Sequence, residues 1–361
     1  MPVPLRTVAV DALDAFARAL FRATGMDAQI ADTVGHLLAV TDTMGRRTHG
    51  LAMAPLYLAE IRSGGMALTG EPKVVNDTGA TQVWDGAYLP GHWVVSRAID
   101  SAVTRAADSG VASVAIRRSH HIGSLATLAK LATDRGFVAI LANSNPAAQY
   151  VAPFGGTEPL ITPNPFAIGY PGRDHPVLVD ICASITTVSM TREKYAAGEQ
   201  FEEPWLLDAN GAPTRDPAVL EHAKPPGSLQ LMGGTSYGHK GYGLALMVEA
   251  LSQGLSGEGR RDPPRRWIGS TFVQVLDPDF FAGRDVFGEE MDFLSDRARA
   301  NRPARPDRPV RVPGDYAAQC AEAAKTHGVA YDDATWSALA AEAERLGVAM
   351  PAVNQMRNMG T

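Results

Sequence analysis

The densest chemistry in the chain lies in Gly45-Arg46-Arg47-Thr48-His49-Gly50-Leu51-Ala52-Met53-Ala54-Pro55-Leu56-Tyr57, where two arginines, a hydroxyl and an imidazole fall within a few residues. Acid–base work on an anionic substrate needs such a set: an imidazole to move a proton, a hydroxyl to orient, a guanidinium to grip a carboxylate or phosphate. The same composition also suits a helix-end loop with solvated arginines. Two other loops are similarly loaded. Arg117-Arg118-Ser119-His120-His121-Ile122-Gly123 follows the apolar run 111–116, and Asn143-Ser144-Asn145-Pro146 follows the apolar run 137–142. Both runs read as strands, and ligands of α/β sheets bind beyond the carboxyl ends of strands. That singles out Ser119, His121 and Asn145, with a hydrogen-bonded pair of loop histidines as the alternative.

Two further stretches point to an anionic or hydroxyl-bearing ligand. Asp180 sits inside the apolar strand-like run 176–181 and must find donors, either backbone amides or ribose hydroxyls. Gly233-Gly234-Thr235-Ser236-Tyr237-Gly238-His239-Lys240-Gly241-Tyr242-Gly243 precedes an apolar helix, so backbone N–H groups can approach an anion there, and Lys240 adds charge at that end. The order is not that of a P-loop, because Gly241 stands where a magnesium-binding Ser or Thr belongs. The helix is apolar nearly all round and is expected to be buried. Glu249 within it then needs a partner.

The elements that must position these residues follow from periodicity. Apolar residues at helical spacing predict helices over 8–23, over the stretch holding Ile30, Val34, Leu37 and Leu38, and over 51–61. Strands are expected at 73–76 and 81–85, then a helix at 94–107. A strand–helix–strand pattern runs through 111–116, 122–135 and 137–142. Short strands are expected at 166–170, 176–181 and 271–276, a turn at Asn210-Gly211, and helices at 291–301, 316–327 and 335–346. We read residues 1–70 as a helical segment packing with a helical 280–361, around a central α/β domain at 71–279.

Composition narrows the function. The 361 residues are 45% hydrophobic and 20% charged with a net charge of -6, which describes a globular protein with no bias toward nucleic acid or anionic membrane. Arg260, Arg261, Arg265 and Arg266 form the densest basic group, and Asp262 with two prolines marks it as a solvated loop. Two cysteines, Cys182 and Cys320, allow no disulfide framework and no cysteine zinc site, and Cys182 reads as a buried thiol. Met1-Pro2-Val3-Pro4-Leu5 lacks a signal-length apolar core, and no run reaches membrane-spanning length, so a cytoplasmic address is expected. Gly-x-Gly-x-x-Gly after a strand, His-Glu-x-x-His and Gly-x-Ser-x-Gly are all missing, so no metal site is expected.

In their order along the chain, Thr48-His49-Gly50 with Pro55 and Tyr57, Ser119-x-His121-x-Gly123, Asn164-Pro165, Asp180 through Ser184, and Lys240-Gly241-Tyr242-Gly243-Leu244 resemble the malate/L-lactate dehydrogenase family. That family is unrelated to the Rossmann lactate dehydrogenases. It includes ureidoglycolate, sulfolactate and diketogulonate oxidoreductases and piperideine-2-carboxylate reductases. The resemblance implies a non-Rossmann NAD(P)-binding α/β fold with a mixed sheet and helices from both ends of the chain. It also implies a homodimer and hydride transfer between NAD or NADP and a small 2-keto or 2-hydroxy acid. His49 and His121 match the two histidines near the reacting carbonyl, and either could exchange the proton. The reading favours His121, with His49 and Thr48 orienting the substrate oxygen. Ser119, Asn145, Asn164, Asp180, Ile181, Cys182, Ser184, Lys240, Gly241, Pro313, Gly314 and Asp315 match positions that hold the dinucleotide.

Departures from the family pattern bear on the substrate. Thr48 keeps the hydroxyl of the usual Ser, but Met53 stands where an arginine usually grips the substrate carboxylate. Losing one charge-assisted anchor costs roughly 1.5–3 kcal/mol, which is about tenfold to a hundredfold in affinity. Arg46, Arg47 or Arg118 could supply a displaced anchor. A cyclic imine (ketimine) reductase and a non-catalytic nucleotide-binding relative are the alternatives. The closing Pro313-Gly314-Asp315 replaces the usual Pro-Gly-Glu, and Thr162-Pro163 and Ala183 are further differences.

Overall fold

Seven strands pair into one mixed sheet in the structure, a computed structural model that describes residues 6–263 and 266–355. Across the sheet the order is Lys73–Asp77, Thr81–Asp85, Val111–Ser119, Gly269–Leu276, Val138–Ser144, Phe166–Tyr170, Val177–Ile181. Thr81–Asp85 and Val111–Ser119 pair parallel, and all other neighbours pair antiparallel. It follows that the strands ending at Asp85, Ser119, Ser144 and Ile181 all point the same way. Loops far apart in sequence therefore meet along one sheet edge.

The strand–helix–strand unit expected from sequence forms, but its two strands are not neighbours. Gly269–Leu276 lies between them, with Thr271 opposite Ile116 on one side and Asn143 on the other. Its burial on nearly every residue explains the place, since a strand covered on both faces belongs in the sheet interior.

The helices form where apolar spacing predicts them. Val10–Arg22 buries Leu13, Phe16, Leu20 and Phe21, and Ala28–Thr43 buries Ile30, Val34, Leu37 and Leu38. These two cross closely at Gly35, where a Cβ would lie 2.6 Å from the Arg18 backbone nitrogen. The third helix starts later than expected. Residues 47–53 wind into two 3-10 turns, and Ala54–Arg62 follows with a proline in its first turn, where the missing N–H costs nothing.

Both chain ends close on this bundle. Arg6–Val8 pairs with Val329–Tyr331 and with Asn354–Gln355, three strands too short to show a period. Arg62 bonds Glu342 of the helix Asp333–Leu346 at 2.7 Å. One continuous core runs from Val8 through the sheet to Ala343, and a smaller one joins Val151, Ile161, Ala183, Leu229 and Ala245. Met1-Pro2-Val3-Pro4-Leu5 lies outside the described residues. Among the described residues no helix is long and apolar enough to cross a membrane.

Candidate active site

Thr48 and His49 sit on the 3-10 turn Arg47–His49, and this turn is tied down from below. A Cβ at Gly50 would overlap the Asp42 carboxylate, so only glycine lets the chain pass that close. Asp42 Oδ2 accepts the Leu51 backbone N–H at 2.9 Å and the Tyr331 hydroxyl, which fixes the loop to the end of Ala28–Thr43 and to a C-terminal strand. Burial pushes the Asp42 carboxyl up to about 7, against both bonds. Sequence reasoning missed Asp42. Its signal was a carboxylate four residues after Leu38, in line with the helix's own apolar face.

His121 stands opposite His49, with ring centroids 6.2 Å apart and planes 25° from parallel. Its Nδ1 lies 2.6 Å from the Tyr57 hydroxyl and 3.4 Å from the Gly123 backbone nitrogen, and the tilted Trp267 ring lies 5.1 Å away, centroid to centroid. Thr48 Oγ1 lies 2.9 Å from His49 Nδ1. His120 is fully buried with Nε2 3.4 Å from Glu60, and His92 packs edge-on to Tyr57.

This crowding keeps the imidazoles neutral. Burial, then the charges of His49, His92 and His120, holds His121 well below its ordinary value. Burial lowers His92 to about 3 and also lowers His120. His49 is lowered by burial too, but Asp180 opposes the shift.

A stability prediction follows from these directions. A histidine whose folded pKa is depressed binds fewer protons in the native state, so its contribution is intact above the ordinary value near 6.5 and is lost as pH falls below it. Asp42, raised from 3.8 to about 7, has the opposite sign: its contribution is intact below 3.8 and fades as pH rises through about 7. Three strongly buried histidines outweigh one aspartate. The free energy of unfolding is expected to fall between pH 6.5 and 4, at about 1.4 kcal/mol per pH unit for each histidine that must charge, and the melting temperature with it. A His92→Gln variant should show a shallower acid limb; an unchanged slope would remove His92 from this account.

Asp180 finds donors of all the kinds its setting demands. Arg46 Nη1 at 3.0 Å, the Ala126 backbone N–H at 3.0 Å and Ser124 Oγ at 3.3 Å all converge on Oδ2, so Oδ1 is left over for a ligand. Arg46 is thereby committed to Asp180, and Arg118 is committed to Asp85 with Glu258 nearby. Met53 packs in the main core. Arg47 is exposed with no ion-pair partner among the described residues, so of the three candidate anchors only its charge is free.

The remaining predicted positions separate into two groups. Ser119 is buried and donates to the carbonyls of His120 and Gly269, and Asn145 Oδ1 accepts the Ala147 N–H in a tight turn. Asn164 is fully buried with its side chain bonded inside the protein: Oδ1 accepts from Thr162, and Nδ2 donates to the Ala245 carbonyl and to Glu249. These residues shape the loops from within. Ile181 is exposed, the Cys182 thiol is pushed up to about 12 by burial, and Ser184 Oγ donates to the Thr186 carbonyl. A cavity of about 490 Å³ opens beyond them, floored by Phe201 and Trp205 and edged by Ile185 and Thr187.

Three sequence expectations are corrected here. The helix Gly234–Glu249 begins before Lys240, so Lys240 does not mark its N-terminus; its ammonium lies 5.2 Å over the Tyr237 ring. That helix is not buried all round either, since Tyr237, Leu246 and Met247 face outward. Gly241 is the point where it touches the site loops, with a Cβ position 2.8 Å from the Ala183 carbonyl. Third, Arg260 is not a solvated loop residue. It pairs with Glu249 at 2.9 Å and caps the Ala148 carbonyl at 2.7 Å. Arg265, grouped with it in sequence, lies outside the described residues.

Pro313-Gly314-Asp315 docks on the sheet's last strand. The Pro313 carbonyl accepts the Leu178 N–H, and Gly314, at φ 107°, has a Cβ position 2.5 Å from the Pro176 carbonyl. Burial works to raise the Asp315 pKa, but Arg299 and the Val312 N–H hold it below the usual carboxylate range.

His121 and the Asp180 carboxylate thus lie at the ends of strands that run the same way, with His49 beside both, without a Rossmann glycine loop. A family model, malate/L-lactate dehydrogenase, matches residues 8–340. The chain belongs to the malate/L-lactate dehydrogenase family. It is 33% identical over 345 residues to the L-lactate dehydrogenase of Cupriavidus necator, covering 93% of this chain and 96% of that one. It is 30% identical over 343 residues to hydroxycarboxylate dehydrogenase B of Escherichia coli (strain K12), covering 93% of both. The malate dehydrogenase of Pyrococcus horikoshii superposes with a TM-score of 0.84 at 25% identity over 96% of this chain and 97% of that chain. As a member of this family the protein is a nicotinamide-dependent oxidoreductase.

Proposed function

We propose that this protein transfers a hydride between NAD(H) or NADP(H) and a small 2-keto or 2-hydroxy acid, with the His49–His121 pair handling the substrate oxygen. The observation that carries this reading is the facing pair of imidazoles, 6.2 Å apart, beside an aspartate that keeps one oxygen free. The donor set fits a dinucleotide. Asp180 Oδ1 can accept a ribose hydroxyl, and Lys240 and Arg47 are cations with no carboxylate partner among the described residues. When bound, the nicotinamide supplies or accepts the hydride at the carbonyl carbon.

The chain supplies the proton side of the reaction. Among the described residues His121 Nε2 has no hydrogen-bond partner, and it can share a proton with the substrate oxygen. Thr48 and His49 hold that oxygen from the opposite side. In the oxidation direction a neutral His121 is ready to act as base at pH 7, because its surroundings disfavour the charged ring. Arg47, exposed and without an ion-pair partner among the described residues, is the cation left to meet a substrate or cofactor anion in place of the arginine that Met53 replaces.

The test is thermal unfolding with saturating NADH, then NADPH, followed by turnover of L-malate, L-lactate and their keto acids. A cofactor at about 100 times its dissociation constant stabilises by roughly 2.7 kcal/mol. For a chain of this length that is roughly 3–4 °C. No shift with either cofactor and no turnover would overturn the reading.

A homodimer is part of the same proposal. Tyr237, Leu246 and Met247 on one helix, and Phe293 and Leu294 on the helix Arg284–Arg299, leave large apolar surfaces open. Light scattering should return twice 38.3 kDa. A monomer mass at micromolar concentration would contradict it.

A further inference from the structure

Asp42 lies in the last turn of the helix Ala28–Thr43, and Leu51 begins the second 3-10 turn. The bond from the Leu51 backbone N–H to Asp42 Oδ2, 2.9 Å, spans nine positions of the chain and closes a loop that carries Thr48 and His49. On the helix side this loop is fastened by its backbone. The Gly45 N–H donates to the Asp42 carbonyl at 3.0 Å and the Arg46 N–H to the Thr41 carbonyl at 3.1 Å. The bonds from His49 to Arg46 and from Gly50 to Arg47 stay inside the loop. On the far side the carboxylate makes the tie. The Tyr331 hydroxyl donates to the same Oδ2, so a C-terminal strand fixes the direction of that carboxylate. The arrangement is costly for stability. Asp42 is buried, its Oδ1 has no hydrogen-bond partner among the described residues, and position 50 must stay free of a side chain to admit it. An apolar side chain would fill such a place at lower cost than a carboxylate with an unpaired oxygen. Packing alone does not account for Asp42, whereas placing the loop does.

We infer that Asp42 is a positioning residue for the reaction: its carboxylate staples the loop that carries Thr48 and His49, and Tyr331 acts through it by fixing the direction of that carboxylate. This rests on the reading above, in which Thr48 and His49 hold the substrate oxygen. The tie at Leu51 sets where the His49 ring stands against His121. Sharing the substrate oxygen between the two rings tolerates little error in distance. Without the tie the internal bonds of the loop remain, but the loop is fastened at one end only. A carboxylate suits the task because one of its oxygens can accept from a backbone N–H and a hydroxyl together, and so joins three separate segments at one atom.

The experiment compares Asp42→Ala, which removes the acceptor, with Asp42→Asn, which keeps one oxygen for Leu51 and Tyr331. Turnover is measured well below the melting temperature of every variant, and amide hydrogen exchange is followed over residues 47–51. The wild-type Leu51 amide should be protected. In Asp42→Ala it should exchange about tenfold faster or more, and kcat should fall about tenfold to a hundredfold. Asp42→Asn should recover most of both. Tyr331→Phe should lower kcat about threefold in the wild-type background and not at all in Asp42→Ala, because it acts only through the carboxylate. If Asp42→Ala alone does not fold, the double variant with Tyr331→Phe, which buries one unpaired group fewer, takes its place beside Asp42→Asn. Full kcat without the carboxylate, equal losses in the alanine and asparagine variants, or a Tyr331→Phe effect of the same size in both backgrounds would overturn the inference. The exchange readout needs no turnover. A Leu51 amide as slow in Asp42→Ala as in the wild type would remove the staple, whereas a wild-type protein inactive on every substrate would remove the acid–base reading instead.

Discussion

Replacing His121 by alanine is expected to cut turnover by about 100-fold or more while cofactor binding is retained. The split follows from where the ring stands. His121 touches Tyr57, Trp267 and His49, and none of these is assigned to the dinucleotide. Asp180 keeps its three donors from Arg46, Ser124 and Ala126. The thermal shift with reduced cofactor should therefore match the wild type. The companion variant, His49→Ala, decides how the pair divides the work. Asp180 favours charge on His49, whereas His121 has no carboxylate partner among the described residues. Near-normal turnover in His121→Ala with loss in His49→Ala would move the proton to His49 and leave His121 as a neutral hydrogen-bond donor.

Local patterns made the helices legible. Leu13, Phe16, Leu20 and Phe21 recur at helical spacing, and that spacing is set by the core they enter. The strand order was not legible. Gly269–Leu276 pairs with strands more than 100 residues earlier, and nothing in its own composition names those partners. His121 was legible as a candidate for a topological reason, whereas His49 stood out only by the residues beside it. Loops after parallel strands share one edge, so a histidine in such a loop starts near any ligand.

The support of those histidines was not legible, because a partner across the fold leaves no local trace. Tyr57 and His121 are 64 residues apart, and Asp42 and Tyr331 are 289 apart. Lys240 misled for the opposite reason. Glycines beside a lysine suggested a loop, but in the structure they lie inside the helix, where Gly241 permits close contact with the Ala183 carbonyl.

Arg260→Ala is expected to cost about 3 kcal/mol, the low end for removing one partner of a buried ion pair. The side chains of Arg260 and Glu249 are only 15% and 16% exposed, so the pair is neither fully dry nor a surface bridge. Glu249 would keep Ser144 and Asn164, each at 2.8 Å, but its charge would lose its counterion. In a chain of 361 residues that is roughly a 4 °C fall in melting temperature. A double variant, Glu249→Gln with Arg260→Met, should recover most of the loss, because the uncompensated charge is what destabilises. The same change reaches the site. Ser144 and Asn164 flank Asn145 and the Thr162 loop, and Arg260 also holds the Ala148 carbonyl. Cofactor affinity should therefore weaken in Arg260→Ala while kcat at saturating cofactor changes little. A melting temperature within about 1 °C of the wild type would mean that water already compensates Glu249, and that the solvated-loop reading of the arginine cluster describes Arg260 after all.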